Sequence, residues 1–157
     1  MKIRGLTDYD IVNYKEPTLF IAFPYCNFKC DLDFASRNCQ NSELIKQPLI
    51  DIPLTKIFDI YKANPLTKGI TCGGLEPFDS FDDLEWLCHL FRDFSNDIIV
   101  IYTGYREIEI HSKVEQLKKI GNLIIKFGRF IPDQPSRYDE ILGVTLASDN
   151  QYAKYYE

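Results

Sequence analysis

The chain has 157 residues, of which 45% are hydrophobic and 26% charged, and its formal net charge is −5 at pH 7. That is the balance of an ordinary globular domain, long enough to bury a continuous core without disulfide or metal staples. An acidic balance supplies no general attraction to nucleic acid or anionic lipid, so neither is an expected partner.

Residues 1–14 are polar and lack the apolar run of a signal peptide. The longest apolar runs, residues 19–23 and 98–102, are far too short to span a bilayer. A cytoplasmic location is therefore expected, where thiols stay reduced. In that setting the five cysteines read as ligands, nucleophiles or core residues rather than disulfides.

Taken in order, Thr18–Phe23 (TLFIAF) is β-branched and aromatic and stops at Pro24, which predicts a buried strand. Residues 25–48 are polar, carry three cysteines and show no sustained periodicity; a loop of that length is usually functional. A helix is predicted over Leu54–Ala63, ended by Asn64-Pro65. Residues 69–72 read as a second strand running into Gly73-Gly74. Ser80 and Asp83 have the spacing of a capping box, and Leu84, Leu87, Cys88 and Phe91 behind them mark the inward face of a helix.

A third strand is predicted over residues 97–102. A helix follows over 107–120, with Ile110, Val114, Leu117 and Ile120 inward and Gly121 as its stop. Leu123–Phe127 (LIIKF) reads as a fourth strand and residues 142–147 as a weaker fifth. Strands alternating with helices predict an α/β fold with a mainly parallel sheet, and so few units predict an open partial barrel rather than a closed eight-stranded one. No repeat or linker divides residues 1–157, which are read as one domain.

Chemistry in such folds gathers at the carboxyl ends of the strands. Cys26, Cys30 and Cys39 follow the first strand. Thiolates favour zinc and iron–sulfur clusters. Three on one loop can hold three irons of a cubane and leave the fourth iron open to a substrate, whereas a structural zinc or static cluster would want a fourth ligand. A metal-stabilised binding module stays open as an alternative. Cys72 and Cys88 read as core, and Lys29 and Arg37 near the cysteines read as solvated unless they tune a cluster.

Cys26-Asn27-Phe28-Lys29-Cys30, followed one strand later by Gly73-Gly74-Leu75-Glu76-Pro77, resembles the radical S-adenosylmethionine superfamily. Its usual signature is CxxxCxxC; here the spacing is CxxxC-x8-C, Asp33 stands at the usual third-cysteine position, and Asn38 precedes Cys39 in place of an aromatic residue. Thr103-Gly104-Tyr105, residues 128–132 (GRFIP) and residues 148–151 (SDNQ) resemble motifs of one subgroup, the activating proteins of anaerobic ribonucleotide reductase.

The resemblance implies a [4Fe–4S] cluster on Cys26, Cys30 and Cys39. It also implies S-adenosylmethionine held by Gly73, Gly74, Glu76, Pro77, Thr103, Gly104, Ser148 and Asn150. Reductive cleavage to a 5′-deoxyadenosyl radical would then make a glycyl radical on the large reductase subunit, with a flavodoxin- or ferredoxin-type electron donor. A small-molecule enzyme of the same superfamily, such as a 7-carboxy-7-deazaguanine synthase, is the alternative.

Overall fold

In the computed structural model, which describes residues 1–34 and 39–157, the strands alternate with helices as the hydrophobic pattern requires. The chain opens with β1 (Lys2–Ile3), β2 (Gly5–Asp10) and β3 (Thr18–Phe23), then a short helix α1 (Lys29–Phe34) and β4 (Ile50–Asp51). Next come α2 (Leu54–Ala63), β5 (Gly69–Gly74), α3 (Phe81–Phe94), β6 (Ile98–Tyr102), α4 (His111–Leu117) and β7 (Leu123–Phe127). It closes with β8 (Arg137–Asp139), β9 (Val144–Leu146) and β10 (Tyr152–Tyr156).

Six strands form one open sheet in the order β10-β7-β6-β5-β3-β2. The inner four are mutually parallel, while β2 and β10 run antiparallel at the two edges. The sheet is thus mixed, less parallel than the sequence pattern suggests, and it does not close into a barrel. Both edge strands escape the hydrophobic pattern because a strand with one neighbour and a wet face needs no continuous apolar run. Residues 142–147 do not add a strand to this sheet: β9 pairs with β8 in a separate antiparallel hairpin.

The two faces of the sheet are covered differently. Leu19, Ile21, Ile70, Ile99, Ile101, Leu123, Ile125 and Phe127 pack with α2, α3 and α4 in the larger core. Leu84, Leu87, Cys88 and Phe91 of α3 are fully buried there, as their spacing predicts. Phe58 and Tyr61 of α2 meet Phe91 and Phe94 in edge-on contacts, with Phe58–Phe94 centroids 4.8 Å and Tyr61–Phe91 centroids 5.0 Å apart. Cys72 is in this core too, away from the other three cysteines.

The other face carries Ile98, Val100 and Ile124, covered by Tyr14, Leu142 and Leu146.

Three local expectations are corrected. The Ser80 hydroxyl makes no capping bond and is buried without a partner among the described residues; Glu76 caps the preceding turn, Pro77–Ser80, instead. The helix predicted over 107–120 is a 3₁₀ turn (Glu107–Glu109), then α4, then a second 3₁₀ turn (Lys118–Ile120), though Ile110, Val114 and Leu117 do point inward. The cysteine stretch contains α1 and a 3₁₀ turn over Ser42–Lys46. Arg37 and Asn38 lie outside the described residues.

Candidate functional site

Because β3, β5, β6 and β7 are adjacent and parallel, the loops that follow them emerge side by side along one edge of the sheet. They enclose a cavity of about 680 Å³, within the range of small-molecule sites. Cys26, Cys30 and Cys39 line it from the first loop, Gly73, Gly74 and Glu76 from the second, Thr103 and Gly104 from the third, and Gly128 and Arg129 from the fourth. Residues 144–147 of the hairpin, with Val12 and Asn13, also line it.

The cysteine loop is held from several sides. Phe28, between the first two cysteines, takes a left-handed backbone (φ 52°), and its carbonyl accepts from Asp31 N at 2.9 Å to start α1. The Asp31 carboxylate accepts from Cys39 N at 3.0 Å, which draws the third cysteine back to the helix that carries the second. Asn27 N–H donates to Asp79 at 2.8 Å, and its side-chain amide donates to the Tyr105 hydroxyl, itself a donor to Asp79 at 2.6 Å. The loop is therefore tied to the elements after β5 and β6, not only to its own strand.

All three thiols are half-buried and free. Burial pushes Cys26 up to about 12, and the nearby Glu76 and Asp79 carboxylates add to the rise. Cys30 and Cys39 are raised as well, first by burial; the Arg129 charge pulls Cys30 back down. A metal bound here has to displace protons from neutral thiols. Among the described residues no three His, Cys, Asp or Glu side chains approach closely enough to share a single ion. Cubane ligands bind three different irons and stand farther apart than the ligands of one ion. Three soft donors lining one cavity suit such a cluster.

Glu76 is the most constrained acid of the site. Its backbone N–H donates to Tyr25 O at 2.8 Å, beside Cys26. Its carboxylate accepts from Phe78 N at 3.1 Å, the Thr103 hydroxyl at 2.8 Å and Gly104 N at 2.8 Å. Burial nevertheless raises it to about 7, with those three donors and their opposing pull leaving it poised between acid and carboxylate. A methyl group added at Gly104 would lie 3.5 Å from Glu76 Oε2, 3.6 Å from Cys30 Sγ and 3.7 Å from Arg129 Cγ. Thiol, carboxylate and guanidinium stem thus converge on one small opening. Gly74 has φ 81°, and a Cβ there would sit 2.9 Å from Ala22 Cα, so close strand packing requires glycine.

The remaining sequence-predicted residues play different parts. Pro77 is buried and opens the turn after Glu76, outside the cavity lining. Ser148 and Asn150 are also outside it: the Ser148 hydroxyl donates to Asn150 Oδ1 at 2.7 Å and accepts from Ile131 N at 3.2 Å, while Asn150 donates to Arg129 O at 2.9 Å. Gln151, which does line the cavity, donates to Gly128 O at 3.1 Å. Together they fix the loop that presents Arg129.

Sequence reading missed Lys126 and Glu109, and gave Arg129 only as part of the motif at residues 128–132. Arg129 forms a two-bond pair with Glu109, which also takes the Lys29 ammonium at 2.8 Å. Lys29 is therefore paired rather than merely solvated. Lys126 is buried against the cavity, and its signal was one charge inside an otherwise apolar strand. No helix is long and apolar enough to cross a membrane among the described residues. Compared with protein-family models, curated proteins and solved structures, the chain gives no significant match.

Proposed function

We propose that the cavity binds a [4Fe–4S] cluster through Cys26, Cys30 and Cys39 with S-adenosylmethionine beside it. On this reading the chain is a minimal radical S-adenosylmethionine enzyme, its sheet the open, partial form of that superfamily's (β/α) barrel. The observation that supports it is the sharing of one cavity by the three thiols and the Gly73-Gly74-Glu76 turn, at the ends of neighbouring parallel strands. Cys26, Cys30 and Cys39 would hold the cluster, which when reduced would supply the electron for reductive cleavage of the sulfonium C–S bond of S-adenosylmethionine.

The chain's own residues supply position and polarity. Gly73 and Gly74 let a ligand approach the backbone of β5. Glu76, when ionised, offers a carboxylate to the ligand's ammonium group, and Thr103 and Gly104 fix its orientation. Pro77 stiffens the turn behind it, and Ser148 and Asn150 hold the Arg129 loop. Residues 144–147 of the hairpin, with Val12 and Asn13, add to the lining around the reacting centre.

The hydrogen-atom donor is assigned to a glycine of an anaerobic ribonucleotide reductase, from the motifs at residues 103–105, 128–132 and 148–151. A flavodoxin- or ferredoxin-type protein would supply electrons. The hairpin favours a second reading, a small-molecule enzyme of the same superfamily, because it adds to the lining of the cavity without a partner. Mixing the reduced protein, S-adenosylmethionine and the reductase from the same genome separates them by electron paramagnetic resonance. A glycyl-radical doublet supports activation of the reductase. Its absence, with 5′-deoxyadenosine released only when a small metabolite is added, overturns that assignment in favour of the second reading.

A further inference from the structure

We propose that Lys126 anchors a carboxylate-binding subsite on the sheet-facing wall of the cavity, for a ligand that carries a single negative charge. The site stands on the cavity's geometry alone and does not depend on a cluster being bound.

Lys126 projects from β7 onto the face of the sheet that the helices do not cover, next to Tyr102 of β6 with which it is in register. It is 7% exposed and lines the cavity. The ammonium donates to Gly128 O at 2.9 Å and lies 5.8 Å from the centre of the Tyr102 ring. No carboxylate approaches it within the 4.0 Å of an ion pair among the described residues.

The neighbouring cations differ. Arg129 and Lys29 both pair with Glu109, at 2.9 and 2.8 Å. Glu76, whose carboxylate accepts from Phe78 N, Thr103 and Gly104 N, forms no ion pair with Lys126 among the described residues. Lys126 therefore holds a buried positive charge facing open volume, with one protein acceptor among the described residues for three N–H donors.

An unpaired buried ammonium is costly, and desolvation does lower Lys126, to about 8, with the Glu76 carboxylate foremost in opposing the fall. At neutral pH the charge is mostly retained, so a ligand anion in the cavity would gain a charge-assisted hydrogen bond and relieve the cost. One ammonium, with an aromatic face and a carbonyl as its other neighbours, matches a monoanionic carboxylate better than a doubly charged phosphate. Two sources share this chemistry: the carboxylate of the cofactor itself and that of a separate small molecule.

The test uses the full chain labelled at lysine with ¹³C, with the Lys126 ε-methylene signal assigned by its loss in Lys126→Met. That variant replaces a buried ammonium by an apolar chain of similar length, so its unfolding midpoint should equal or exceed the parent's. Acetate should move the Lys126 signal saturably, more strongly than inorganic phosphate. S-adenosylmethionine binding is measured in parallel on the anaerobically reconstituted protein.

If the cofactor supplies the carboxylate, S-adenosylmethionine should bind Lys126→Met about 10- to 100-fold more weakly, the loss of one charge-assisted hydrogen bond. Its decarboxylated analogue should then bind both proteins alike. Equal S-adenosylmethionine affinity, with the acetate response intact, supports the site and assigns it to a separate molecule. Failure of S-adenosylmethionine to bind either protein, with acetate still saturating Lys126, removes the proposed cofactor and leaves the subsite. A Lys126 signal indifferent to acetate and to S-adenosylmethionine overturns it.

Discussion

Glu109 accepts both terminal N–H groups of Arg129, at 2.9 and 3.0 Å, and so joins the turn after β6 to the loop after β7. The same carboxylate takes Lys29 of the cysteine helix. Three segments that are distant in sequence are thereby locked at one edge of the sheet, with the Arg129 stem beside Cys30.

Removing that carboxylate should loosen the cysteine loop. Glu109→Ala removes the two-bond pair made by the Arg129 guanidinium, 8% exposed, at a cost of about 2–3 kcal/mol in urea unfolding. Backbone amides of α1 should exchange faster in the variant. The Arg129 bonds, then those of Lys29 and Arg106, hold the Glu109 carboxyl well below the usual carboxylate range. A depressed acid stabilises the folded state above the unfolded-state value of about 4.3 and loses that contribution as pH falls further. Glu109→Gln should therefore flatten the acid limb of the stability profile; an unchanged limb would show that the pair is idle.

Glu76 has the opposite sign. Its folded value is raised by burial to about 7, above the unfolded value of about 4.3. Its contribution to stability therefore falls as pH rises between those two values and is level above them. A ligand ammonium needs the ionised form, so S-adenosylmethionine affinity should climb about tenfold from pH 6 to pH 8 and level off beyond. Glu76→Gln should bind weakly at every pH, a loss of about 1–3 kcal/mol. A parent protein with flat affinity over that range would disconnect Glu76 from the ligand.

Two glycines should respond differently to alanine. At Gly74 the left-handed backbone and the 2.9 Å approach to Ala22 leave no room, so Gly74→Ala should cost about 1–3 kcal/mol of stability. At Gly104 an added methyl meets its neighbours at 3.5–3.7 Å, ordinary contact distances. Gly104→Ala should fold with stability within about 1 kcal/mol of the parent and yet obstruct the opening between Cys30 and Glu76. Thermal melts with binding titrations on both variants separate the two effects. Full ligand affinity in Gly104→Ala would move the site elsewhere.

Much of this arrangement was legible in the sequence because it rests on local patterns. The β-branched runs at 18–23 and 123–127 and the i, i+3, i+4, i+7 face from Leu84 to Phe91 each specify an element without outside help. The turn glycines and cysteines fall at strand ends, where parallel topology brings them together. Edge strands β2 and β10 were not legible, since their stability comes from pairing rather than burial on both faces. Nor was the Glu109–Arg129 pair, whose members are twenty residues apart and meet only through the sheet. Ser148 and Asn150 belong to a readable motif, but their side chains turn toward the Arg129 loop rather than the cavity.

The central claim is tested most directly by anaerobic reconstitution with iron and sulfide, reduction with dithionite, and assay of 5′-deoxyadenosine after addition of S-adenosylmethionine. The parent chain should form 5′-deoxyadenosine. Alanine variants of Cys26, Cys30 or Cys39 should lose iron and product together, while Cys72→Ala and Cys88→Ala, altered in the helix-covered core, should keep both at some cost in stability. A parent chain that binds iron and yields no 5′-deoxyadenosine, or iron that survives Cys39→Ala and is lost in Cys72→Ala, would contradict it.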